Sequence, residues 1–351
     1  MALQSINIGS AANDGTGSTL RAAFDICNDN FTELYDGSGG LLHKIEGTNF
    51  TGSLLVGHST TGTIDNAYYN TALGISTLDA LTTADYNVAI GYNAGTAITT
   101  GSSNILIGSN AGDALVGGAS NIAIGRQALS TEDGHGRNVA IGHATLENQN
   151  AGTDAYNIAI GYTAGISVST GTFNTLIGGL AGDAVTTGHH NIAIGYSALS
   201  TEDGNGYNIA IGSYALQDQN AGADAYNIAI GYGAGKEVTT GNENVLIGGL
   251  AGDALTTGSM NVAVGYSALS AEDGDGRNVA IGHQALQALN AGADAYNIGI
   301  GSNTGVLMST GVRNTIMGGL AGDALTTGGN NTAMGYLALS TEDAGSYNIA
   351  I

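Results

Sequence analysis

Asn191-Ile192-Ala193-Ile194-Gly195 decides the reading of this chain, because the sequence repeats it along most of its length. The pattern is Asn, apolar, small or apolar, apolar, Gly, with places one to five counted from the Asn. That Asn falls at Asn70, Asn87, Asn104, Asn121, Asn138, Asn157, Asn174, Asn191, Asn208, Asn227, Asn244, Asn261, Asn278, Asn297, Asn314, Asn331 and Asn348. A degenerate first copy, Ser53-Leu54-Leu55-Val56-Gly57, extends the series backwards. The Asn-to-Asn step is 17, except into Asn157, Asn227 and Asn297, where it is 19. A fixed period of this size marks a stacked-repeat architecture, in which each unit buries its apolar face only against its neighbours.

One coil runs from Asn191 to Tyr207. Asn-Ile-Ala-Ile reads as a short strand, and Gly195 breaks it at a corner. Gly holds this fifth place in every completed copy, including Gly91, Gly125, Gly161, Gly195, Gly231 and Gly265. Such a column implies a corner that rejects a Cβ, through positive φ or through close approach of the next coil. Ala198-Leu199 reads as a second short strand, and Thr201 to Gly206 as a turn. The fold class is therefore all-β, a parallel β-solenoid or β-roll, about 80 Å long at ~4.8 Å per coil.

By the period-2 rule, places two and four share one face and place three takes the other. The larger Ile and Val residues at places two and four are assigned to the interior, which sends place three outward. Place three is Ala in most coils, but Leu106, Leu176, Leu246 and Ile316 occupy it once per longer unit. A strand apolar on both faces is covered on both faces. Those four residues are thus the expected interface of parallel, in-register copies of the chain, a homotrimer as the expected number with a dimer also compatible with the sequence. Three steps of 17 and one of 19 make a 70-residue super-repeat, with the two extra residues in turns such as Asn148–Tyr156. Those turns would project at every fourth level.

The chain divides into an N-terminal segment, residues 1–45, and the repeat shaft, residues 46–351, which is expected to continue beyond 351 because the final copy stops one residue before its Gly. In the first segment Leu20, Phe24, Cys27, Phe31 and Leu34 are spaced as a coiled-coil seam. This predicts a short trimeric α-helix from Ser18 to about Tyr35, with Cys27 buried in the seam. Gly37 to Gly40 ends it as a joint.

Composition excludes several classes. There is no Pro and no Trp, and the 59 Gly do not fall every third residue, so collagen is out. The net charge of −22 with seven Lys plus Arg argues against nucleic acid and anionic membrane as partners. No signal peptide or apolar span is visible, so no membrane insertion is expected. Cys27 is the one cysteine, which rules out an intrachain disulfide.

Two resemblances follow from the motifs. Ile6-Asn7-Ile8-Gly9, Asn13 to Gly17, Leu20 to Phe24 and Asn28 to Tyr35 resemble the N-terminal module of tailed-phage fibre and whisker proteins. That resemblance implies attachment to a phage tail or baseplate protein through residues 1 to about 40. The Asn-x-Ala-Ile-Gly repeat, followed by Ala-Leu and a Gly-containing turn, resembles the head repeat of trimeric autotransporter adhesins, which recurs in phage fibres. It implies a trimer of parallel β-rolls, although the coils here are longer than the common one of that family.

The repeats offer several candidates for chemistry. Gly178 to Asp183 resembles a Ca²⁺-binding nonapeptide, but its copies lie a whole super-repeat apart, so ligand rings cannot stack. Glu132-Asp133, Glu202-Asp203, Glu272-Asp273 and Glu342-Asp343 read as solvated turn charges, not as paired catalytic carboxylates. His143, His283 and His189-His190 lack the spacing of a metal site. Thr186, Thr256 and Thr326 are too sparse for an ice-binding array. Tyr residues flank the motif on both sides and read as structural ladders, with sugar stacking as the other use. The expectation is a non-enzymatic phage tail fibre with no cofactor and no metal, made in the host cytoplasm and carried on the virion. Its partners would be itself, a tail protein, and a host-surface glycan or protein. A bacterial surface adhesin and a polysaccharide-degrading tailspike are the alternatives.

Overall fold

A computed structural model describes residues 43–45, 53–56 and 65–351, apart from 203, 205, 272, 273, 275 and 293. The predicted helix with its seam of Leu20, Phe24, Cys27, Phe31 and Leu34, and the segment resembling a phage attachment module, lie outside the described residues. Among the described residues there is no helix.

The described chain is one parallel β-solenoid. Strand β1 (His43–Ile45) pairs antiparallel with β2 (Leu54–Val56), so the sheet takes in residues 43–45. From β2 onward each strand pairs in parallel with the next, one per coil. The series runs through β3 (Thr71–Leu73), β6 (Ile122–Ile124), β7 (Val139–Ile141) and β10 (Ile192–Ile194) to β18 (Thr332–Met334) and β19 (Ile349–Ala350). Register is place on place: Ile192, Ala193 and Ile194 face Ile209, Ala210 and Ile211. The longer step leaves that register intact, since Ile209 faces Ile228. The two extra residues are absorbed in the turn. There Asp154 pairs with Arg137 of the preceding coil and accepts a hydrogen bond from Gly136 N at 3.1 Å.

The corner is closed to side chains on both expected grounds. Gly195 has φ +140°, and a Cβ there would stand 2.5 Å from the backbone of Gly212 in the next coil. The expected second strand does not form. Ser197 and Leu199 have φ of 50° and 53°, left-handed values that turn the chain where a strand would run straight. Backbone hydrogen bonds nevertheless continue from coil to coil there, with Leu199 N donating to Ala215 O at 3.0 Å.

The assignment of the two strand faces is reversed by the structure. Place three points into the coil: Ala193, Ala210, Leu106, Leu176, Leu246 and Ile316 are all 0% exposed within a single chain. Places two and four point outward. Those four large residues therefore cannot form an interface between chains. They fill the core beside glycines at place nine. A Cβ on Gly182 would meet Leu176 Cδ2 at 2.7 Å, and one on Gly165, a coil earlier, would meet Leu176 Cδ1 at 2.7 Å. In the following coil the sizes exchange, with Ala193 at place three and Leu199 at place nine, both buried. The coil is too thin to hold bulk at both places in one layer, so close packing is reached by alternation.

Asn at place one completes the interior. Each buried Asn takes the next Asn's backbone N–H on its side-chain oxygen: Asn191 N donates to Asn174 Oδ1 at 3.0 Å, and Asn208 N to Asn191 Oδ1 at 3.0 Å. The series is continuous to Asn348, and it begins with Ser53, whose Oγ accepts from Asn70 N at 2.7 Å. The amide nitrogen ties the far side of the coil, as in Asn174 Nδ2 to Gly188 O at 2.8 Å. Buried amides need such partners, and this column supplies one to the backbone of every coil, while Asn138, Asn208 and Asn278, each before a longer step, keep Nδ2 without a hydrogen-bond partner.

Candidate interaction surfaces

Three surface features follow from this geometry. The first is the outer sheet face. Ile192 and Ile194, Ile209 and Ile211, Ile228 and Ile230 stand side by side in two columns that continue through the described strands. Ile105 is 38% exposed and Ile158 39%, large values for β-branched residues of a regular sheet. From β3 to β18 the two columns hold Ile, Val, Leu, Met and Thr and no charge. An apolar strip of this length exceeds the scattered exposed hydrophobes normal for a monomer.

The second feature is aromatic. Residues preceding the place-one Asn are left-handed, with Tyr156, Phe173, His190, Tyr207 and Tyr226 at φ of 53° to 61°. Their rings stack in one file, with successive centroids 5.4, 5.0, 5.1 and 5.1 Å apart. Arg137 lies over the Tyr156 end of that file. After the corner, His143 stacks on Tyr162 and Tyr266 on His283. The ring files are cross-strand ladders of the kind that stabilise sheets, and their outer edges remain exposed. Where Tyr214 and Tyr232 meet edge to face, a hollow of about 470 Å³ opens, with Gln217, Lys236 and Asp253 on its walls.

The third feature corrects the reading of the acidic turns as solvated. Glu132 and Glu202 are completely buried. They stand at place twelve, a column held by Val168, Val185, Leu115 and Leu255 in other coils, so the fold places a carboxylate in a core position. Glu132 Oε1 accepts from His135 N at 3.0 Å and closes the turn. Glu342 does the same for Gly345 N at 2.6 Å. Burial raises the pKa of Glu132, partly offset by the His135 amide and imidazole. Burial likewise raises Asp113, Asp183 and Asp253, which recur once per super-repeat beside the place-nine glycines. Beside Glu132 lie Asp133 and His135, and one ligand atom of each of the three falls within 4.8 Å of the others. This group escapes a reading of spacing that looks for His pairs. The local signal is a single His that the other three acidic turns lack.

The fold and surfaces define a class, the single-chain parallel β-solenoid with an uncovered apolar sheet. Comparison with protein-family models, curated proteins and solved structures gives no match.

Proposed function

We propose that this chain forms the shaft of a tailed-phage fibre, three copies packing parallel and in register through their outer sheet faces. The observation that carries the reading is the uncharged double column at places two and four. It runs about 80 Å at the strand spacing and is covered by nothing in its own chain. A second and third copy present the same 17-residue period, so every Ile row of one chain meets an equivalent row of its neighbours. The repeat's resemblance to trimeric adhesin heads supports three chains, and the N-terminal resemblance supports attachment to the virion. The far end would then serve contact with a host-surface glycan or protein.

Native mass measurement of the full chain tests the assembly, with a trimer of 34.8 kDa chains as the expected result. The variant Ile160→Glu/Ile194→Glu, altered only on the outer face, is expected to yield a monomer that keeps its β-sheet circular dichroism. A wild-type chain that stays monomeric at micromolar concentration overturns the proposal. Immunogold labelling of virions then tests placement, and label absent from tails would rule out the fibre.

A further inference from the structure

The turn that closes the coil of Asn121 joins β6 to β7, and its side chains are not accounted for by packing alone. Glu132 is fully buried, yet its Oε2 has no hydrogen-bond partner. His135 Nδ1 is also buried and without a hydrogen bond, 3.8 Å from Glu132 Oε1. Orphaned buried polar atoms are uncommon in folded proteins, and each calls for an explanation. Here one sits 3.8 Å from the carboxylate that carries the other, and the exposed carboxylate of Asp133 brings a third ligand atom within 4.8 Å.

We propose that Glu132, Asp133 and His135 bind one divalent transition-metal ion of the Zn²⁺ or Co²⁺ type. Two carboxylates and an imidazole form a three-ligand set that water completes to four. Mixed nitrogen and oxygen donors favour these ions over Ca²⁺ and Mg²⁺, which take oxygen ligands. An ion held through Glu132 Oε2 and His135 Nδ1 would satisfy both buried orphans and offset the cost of a carboxylate in a core column. The equivalents of His135 are Asn205, Asp275 and Gly345, so the other three acidic turns lack the imidazole and the expected stoichiometry is one ion per chain. The site is independent of the fibre reading, since it lies within one coil.

Isothermal titration of the full chain with ZnCl₂, after removal of metal by chelator, reads the stoichiometry directly. CoCl₂ adds visible d–d absorption whose intensity reports whether the bound ion is four-coordinate. Saturable binding of one ion per chain is expected. His135→Asn, which installs the residue found in the second turn, is expected to weaken it at least about tenfold, the loss produced by removing even an outer partner of a metal ligand. Glu132→Gln is expected to do the same while keeping the acceptor that closes the turn. Unchanged β-sheet circular dichroism shows that either variant still folds. No saturable binding, or equal binding by wild type and His135→Asn, overturns the proposal.

Discussion

Leu176 shows how far a single residue's meaning depends on which way it points. Its size is legible in the sequence, and so is its recurrence at Leu106, Leu246 and Ile316. Its direction is not, because hydrophobicity alone sends the bulkiest residues inward. The interior of this coil is narrow, so Ala and Asn sit inside and Ile and Val outside. The buried Asn at place one is the signal that could have fixed the sign, since place three must share its face. The packing partner of Leu176 is Gly182, and the reciprocal arrangement of Ala193 and Leu199 gives a direct test. Leu176→Ala is expected to cost about 2–5 kcal/mol in thermal or chemical unfolding, as for other buried leucines. Gly182 has φ +56° and Leu199 +53°, so a leucine is conformationally admissible at place nine. The double variant Leu176→Ala/Gly182→Leu should therefore recover part of the loss, with a coupling of about 0.5–3 kcal/mol. Strict additivity would contradict the alternating-layer account.

At the scale of the element, the strand is only three residues long and owes its place to the Asn beside it. Such short strands have little propensity of their own; their register is held by the Asn files and the corner glycines. The strands, the corners and the 17-residue step were all readable from the repeat. The turn that replaces the expected second strand was not, because the apolar pair Ala198-Leu199 gives no sign that Ser197 and Leu199 are left-handed. Aromatic residues at the left-handed place before Asn were equally invisible to propensity, which disfavours Tyr and Phe there. The stacked neighbours above and below hold them. Asn191→Ala removes both an acceptor for Asn208 N and a buried donor, at about 1–3 kcal/mol for each group left unsatisfied. Asn191→Ser should be milder, since Ser53 Oγ already performs the acceptor role toward Asn70 N. Equal destabilisation by the two variants in urea unfolding would show that the amide nitrogen carries the effect.

Across the whole molecule, charge and burial meet in the pH response. The chain carries −22, and burial raises the pKa of Glu132, Asp113, Asp183 and Asp253. A carboxyl whose folded value is raised contributes stability that is complete below its unfolded value and lost as pH climbs through the folded one. The unfolded references are 4.5 for Glu132 and 3.8 for Asp183, so the window lies above them. The melting temperature is therefore expected to rise as pH is lowered from neutrality toward those reference values. Glu132→Gln should flatten part of that rise, measured by scanning calorimetry without added metal. A melting temperature that falls over this range would contradict the burial of these carboxyls. The proposed assembly through the outer face belongs to the same scale, and its motive in the sequence is a strand apolar on both sides. The residues it named were the wrong set, and the exposed face is the one with the larger side chains.

The constant register across the longer steps has one more consequence. Ile209 meets Ile228 as squarely as Ile192 meets Ile209, so a 70-residue block begins and ends in the same geometric state. Adding or deleting such a block leaves every column unbroken and changes the rod by four rungs, ~19 Å. The molecule is in this sense a ruler graduated in genetic units. A gain or loss of whole blocks would change its length while its cross-section, and whatever that cross-section touches, stays the same.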